Sequence, residues 1–164
     1  MTPYRLFAAV LYGLTFAAAP VVQAQTTLGA NELPIHDAAR LGKAAEVEKI
    51  LRADPAMRDA RNPVGATPLH LAATNADIGP LKALLAAGAD ARARDKEDLT
   101  PLHMAAYTDK PEHARLLLEA GADVDAKSAG GRTPLSLARK ARADKTAGII
   151  SLWVLKGCQP GKPC

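Results

Sequence analysis

Three histidines return at nearly constant spacing, His36, His70 and His103. A recurring imidazole is the first place to look for chemistry, because it can ligate a metal or haem or carry a proton near neutral pH. His113 follows Glu112 outside that series, and Cys158 and Cys164 stand in the terminal LKGCQPGKPC. The cysteines are separated by a Pro- and Gly-rich stretch that favours turning. In an oxidising compartment they suit a small disulfide loop. Free thiols for metal or redox exchange are the other reading, although a zinc site would need two further ligands. The sequence holds no GxSxG elbow, Gly-rich phosphate loop, HExxH or CxxC motif, so no catalytic residue is assigned and no enzyme is expected.

The elements that position the histidines are written in a repeat. TPLH occupies 67–70 and 100–103, and TPLS occupies 133–136. Around these phrases, residues 65–95 and 98–128 align without a gap at a period of 33. A third unit begins at Gly131 in the same register. An earlier unit, LPIHDAARLGKAAEVEKILRADPAMRDARN, needs one extra residue, placed in its ADPA segment. Self-similarity at this period decides a fold before any single motif does.

Each letter has a physical task. Thr67, Thr100 and Thr133 suit helix N-caps, where a hydroxyl satisfies an orphan backbone N–H. Pro68, Pro101 and Pro134 fit the first helical position, where a missing N–H costs nothing. Leu69 and Leu102 read as buried anchors, and the paired alanines 72–73 and 105–106 leave room for a neighbour. A second helix carries Ile50-Leu51, Leu84-Leu85, Leu116-Leu117 and Ile149-Ile150. It ends at Gly88 or Gly121, residues free to take positive φ. Pro80 and Pro111 mark its start, and His113 reads as an exposed polar residue on it. Scarce aromatics (4%) and abundant Ala also predict an all-α fold of short, closely packed helices.

These residues resemble the ankyrin repeat: G-x-TPLH-x-AA, a Leu pair and GADV-x-A in a 33-residue unit. The resemblance covers about residues 30–155. It implies a solenoid of about four helix-turn-helix units with projecting β-turn fingers, including capping repeats. It also implies a concave face, built from fingers and first helices, that binds proteins. It further implies that His36, His70 and His103 each hydrogen-bond within their turn, including to Thr groups, and to the neighbouring repeat. Adjacent histidines then cannot share an ion, since stacked helices lie about 8–10 Å apart and metal ligands sit about 2 Å from the metal. The outer units depart from the pattern, with Leu33 for the capping Thr, Ser136 for His and Arg139 for the second Ala, as expected of repeats that face solvent.

Residues 1–24 read as a signal peptide: Arg5, the uncharged apolar run Leu6–Ala19, then small residues at Val22 and Ala24 before cleavage ahead of Gln25. The run is shorter than a membrane span, and no Cys follows the cleavage site for lipid anchoring. The expected organisation is a linker at 25–31, a repeat domain at 32–155 (units about 32–62, 63–95, 96–128 and 129–155) and a Cys-containing tail at 156–164. The protein is expected to be periplasmic or secreted, of bacterial type, monomeric and without cofactors or stable membrane insertion. The full chain carries a formal charge of +4, and removing Arg5 lowers it by one. So mild a charge, together with export, argues against nucleic acid as a partner.

Specificity is expected at the positions the pattern leaves free. On fingers these are Pro63, Val64, Ala66, Lys96, Glu97, Leu99, Ala129, Gly130 and Arg132. After the paired alanines they are Arg40, Leu41, Thr74, Asn75, Tyr107, Thr108, Lys140 and Ala141. Tyr107 is the foremost anchor, since rigid exposed aromatics dominate many interfaces; the competing reading is that it covers its own repeat. Arg132, Arg139, Lys140, Arg142 and Lys145 make the last repeat basic, which suits an acidic partner or a solvated cap. The leading function is an exported module that binds a partner protein. The family resemblance also allows an accessory or inhibitor of an envelope enzyme, such as a companion of catalase or a toxin-immunity protein. A metal or haem carrier is the third possibility.

Overall fold

The computed structural model describes residues 32–161. The expected leader and linker, and Cys164, lie outside the described residues. Among those described, the chain forms eight α-helices, one 3₁₀ turn and no strand. The helices are α1 (Pro34–Arg40), α2 (Ala44–Ala53), α3 (Pro68–Ala72), α4 (Gly79–Ala86), α5 (Pro101–Tyr107), α6 (Pro111–Glu119), α7 (Pro134–Ala141) and α8 (Asp144–Leu155). First helices stack in one row, α1 on α3, α3 on α5 and α5 on α7, while second helices form another in which α2 packs on α4 and α6 on α8. No described helix is long and apolar enough to cross a membrane.

The repeated letters account for this stacking. Ala38, Ala39, Ala72, Ala73, Ala105, Ala106 and Ala138 are all buried. With no side chain beyond Cβ, they let successive first helices approach closely. Ile35, Leu69 and Leu102 fill one layer behind them, and Leu51, Leu84, Leu117 and Ile150 fill another among the second helices. Arg139, standing where Ala106 stands in the preceding unit, is exposed, as a terminal repeat requires.

Second helices α4 and α6 end alike. Gly88 and Gly121 take φ of +80° and +95°. Ala89 N then bonds Leu84 O (3.0 Å) and Gly88 N bonds Leu85 O (3.0 Å), with the same pair of bonds at Ala122 and Gly121, closing each helix with a Schellman motif. In the first repeat Pro55 stands in the glycine's place and cannot adopt positive φ. There the chain leaves through a 3₁₀ turn, Pro55–Asp59, opened by the Asp54 carboxylate accepting from Ala56 N.

The extra residue of the first unit is not in ADPA. The helix-ending bonds Asp54 N to Ile50 O, Ala87 N to Ala83 O and Ala120 N to Leu116 O are evenly spaced along the chain. The register from Ile50 onward is therefore unbroken, and the addition lies in α2, which is 10 residues long against 8 in α4 and 9 in α6.

Candidate protein-binding surface

The first helices α3 and α5 each open on a bonded Thr-His pair. Thr100 N donates to His103 Nδ1 (3.1 Å), and the Thr100 hydroxyl lies 2.9 Å from the same nitrogen. A backbone amide can only donate, so Nδ1 is an acceptor and the proton sits on Nε2. That nitrogen donates to Arg132 O (2.9 Å) in the next repeat. His70 repeats the arrangement, with Thr67 N at 3.1 Å and Leu99 O at 3.0 Å. His36 reaches Ala60 O (3.1 Å) and Ala66 O (3.3 Å), but Leu33 offers no hydroxyl and His36 Nδ1 is left without a partner. At the far end, the Thr133 hydroxyl accepts from Ser136 N (3.2 Å). Burial lowers the pKa of His70 and of His103, which keeps both imidazoles neutral as this bonding requires. The histidines are fittings, and no group of three His, Cys, Asp or Glu among the described residues converges to hold a metal.

The carbonyls these histidines grip belong to the fingers. Asp95 Oδ1 accepts from Glu97 N and Leu99 N (both 2.9 Å), Asn62 Oδ1 accepts from Val64 N (3.1 Å) and Ala66 N (2.9 Å), and Ser128 Oγ accepts from Arg132 N (3.3 Å). Neighbouring fingers are joined through backbone, Lys96 N to Val64 O (3.0 Å) and Ala129 N to Glu97 O (2.9 Å). Beneath them Arg94 Nη1 donates to Lys127 O (2.9 Å). Sequence reasoning passed over Asn62, Asp95 and Ser128. Their recurrence five residues before each Thr, as types that accept from turn amides, was the available signal.

This bracing brings six of the expected positions together, Glu97, Leu99, Tyr107, Ala129, Gly130 and Arg132. Glu97 and Leu99 from one finger and Arg132 from the next surround Tyr107 at the end of α5, with Met104, Leu137, Ser128, Ala129 and Gly130 completing a groove of about 480 Å³. Tyr107 is 61% exposed. Met104 and Leu137 had not been singled out.

The other expected positions are scattered or already engaged. Leu41, Val64, Lys96 and Lys140 are exposed away from the groove. Arg40 pairs with Asp37 and, at 3.3 Å, with Glu32. The Thr74 and Thr108 hydroxyls return to Leu71 O and Met104 O, both at 2.8 Å. Asn75 donates to Ala39 O (3.2 Å) and Arg40 O (2.6 Å) while accepting from Asp77 N (2.8 Å), so it clips the first two repeats together. Ala66 is buried.

His113 corrects an expectation. Instead of facing solvent it is 4% exposed, with Nε2 unpartnered. Burial lowers its pKa, and a backbone hydrogen bond at Asp77 partly offsets that. Cys158, at the other end, packs partly buried against the core.

The family model for ankyrin repeats (three copies) matches residues 35–128 and 72–151. The chain belongs to the ankyrin-repeat family, whose repeats serve as protein–protein interaction modules and typically carry no catalysis. A search of curated proteins finds no match.

Proposed function

We propose that this chain is an exported module, periplasmic or secreted, that holds one partner protein against its concave finger and first-helix face. The groove around Tyr107 carries this reading. It sets an exposed aromatic among apolar side chains (Leu99, Met104, Leu137) with one acidic and one basic residue, Glu97 and Arg132, at its rim. Anchoring aromatics ringed by groups that exclude water dominate the energy of many interfaces. The finger backbone is fixed by hydrogen bonds before a partner arrives, so little ordering cost remains to be met on binding. Export rests on the leader-like residues 1–24.

Capture from an envelope fraction tests the face. The wild-type chain should retain a partner that the Tyr107→Ala, Leu99→Ala double variant retains at least tenfold less, about 1.4 kcal/mol of binding. Equal capture by both would refute the choice of groove. Mass measurement of the chain recovered from that fraction tests export, with a start near Gln25 expected.

A further inference from the structure

Charge is divided unevenly along the stack. Residues 32–128 carry 13 Lys and Arg against 16 Asp and Glu, while the last repeat, 129–155, carries five against one, Asp144. Every ion pair among the described residues lies between Glu32 and Glu119. Arg132, Arg139, Lys140, Arg142 and Lys145 are all exposed and take part in none of these pairs. A terminal repeat needs a polar outer face, and a solvated face is served by both signs interspersed. Cations alone repel one another until an anion answers them.

Arg142 adds an independent observation. It is held at φ +57°, in the place that Gly42 and Asp109 take in earlier repeats. Asp109 offsets the strain with its bonds to Thr146, whereas the Arg142 side chain has no bond to any described residue. Left-handed backbone is costly for a residue with a long side chain, and uncompensated strain of this kind clusters at binding sites.

Three of these cations flank the groove around Tyr107. Arg132 lines it. Lys140 stands one turn past Leu137, which also lines it, on the same side of α7. Arg142 follows at the end of that helix. Resting on the reading that the concave face binds the partner, we infer that the partner presents an acidic, extended segment with one bulky apolar side chain, laid along α7 with that side chain in the groove. α7 is 8 residues long, about 12 Å, and an extended chain rises about 3.3 Å per residue. Carboxylates about four residues apart therefore reach Arg132 at one end and Lys140 or Arg142 at the other, with the apolar residue between them. Glu97, the single acidic residue lining the groove, belongs to the finger of the preceding repeat, so its repulsion turns such a segment toward α7. Complementary charge of this kind fixes orientation and speeds encounter more than it adds affinity.

Selection of random short peptides displayed on phage against the full chain tests this, followed by affinity measurement on the enriched peptides. These should carry two or more Asp or Glu around a Leu, Met or aromatic residue. Replacing the acids by Asn and Gln should weaken binding at least tenfold, about 1.4 kcal/mol, and the difference should shrink in high salt. Arg132→Glu combined with Lys140→Glu should cause the same loss. Arg142→Gly should weaken binding about threefold while raising the unfolding midpoint, so that a folding defect cannot account for the loss. Enrichment of neutral or basic peptides that still require Tyr107, or no enrichment, would overturn the inference while leaving the groove open to another partner. So would acidic peptides indifferent to Arg132→Glu and Lys140→Glu. Binding of phosphatidylglycerol vesicles or duplex DNA through the same cations, in place of peptides, would assign the cluster to another polyanion and overturn it too. Peptides retained equally by Tyr107→Ala would instead refute the groove itself.

Discussion

His103 Nε2 donates across 2.9 Å to Arg132 O, so one imidazole joins the first helix of the third repeat to the finger of the fourth while its other nitrogen receives the Thr100 amide. Removing the ring leaves a buried donor and an inter-repeat carbonyl unmet. His103→Ala should therefore cost about 3 kcal/mol in urea unfolding. Ser136→Ala, at the equivalent but exposed position of the last unit, should fall within about 0.5 kcal/mol of wild type.

Acid should loosen the solenoid before it acts on any carboxylate. His70, His103 and His113 all have folded pKa values lowered from the ordinary 6.5 by burial. Below that value the unfolded chain binds more protons than the folded one, so stability present above pH 6.5 is lost as pH falls toward the folded values. Thermal unfolding followed from pH 7.5 to 4.5 should show a steady decline in midpoint. His113→Leu should flatten it, because it removes a buried titrating ring whose Nε2 has no partner, at the cost of that ring's backbone hydrogen bond at Asp77. An unchanged slope in the variant would assign the acid sensitivity to the Thr-linked histidines alone.

The fold was legible because its fittings repeat. Thr100, Pro101, Leu102 and His103 do the same local work as Thr67 to His70, and a task defined within one helical turn imposes the same residue types each time. What stayed hidden depends on neighbours. Asn75 reads as a free surface position within its own repeat, yet it donates to Ala39 and Arg40 across the stack. His113 reads as an exposed helical residue but is buried, with a backbone hydrogen bond at Asp77 in the preceding repeat. The groove shows the same limit. Tyr107 and Leu99 stood out as exposed apolar types, while Met104 and Leu137 enter it through stacking that one repeat's sequence cannot specify.

Positive φ provides a second handle on stability. Gly42, Asp109 and Arg142 occupy the same place after their first helices, with φ of +75°, +50° and +57°. Asp109 offsets its strain by capping α8, its Oδ1 accepting from Thr146 N (2.9 Å) and Oγ1 (3.0 Å). Arg142 has no such compensation, so Arg142→Gly should stabilise by about 0.5–1 kcal/mol. Gly88→Ala should do the reverse, costing about 1 kcal/mol. No atom within 4 Å would clash with the new methyl, so that loss would be purely conformational. Denaturant midpoints of the two variants should move in opposite directions at constant m-value.

We propose that Cys158 and Cys164 form a disulfide in the mature chain. Cys158 sits just past α8, packed partly against the core, and only five residues lie between the two cysteines. A loop so short removes little freedom from the unfolded chain, at most about 2 kcal/mol on the chain-entropy model. Reduction should therefore shift the unfolding midpoint slightly while leaving the ankyrin units folded. Alkylation before and after reduction checks the pairing by mass, with no adduct expected in the first case and two in the second. Two adducts without reduction would show free thiols and restore metal or redox exchange as the role of the tail.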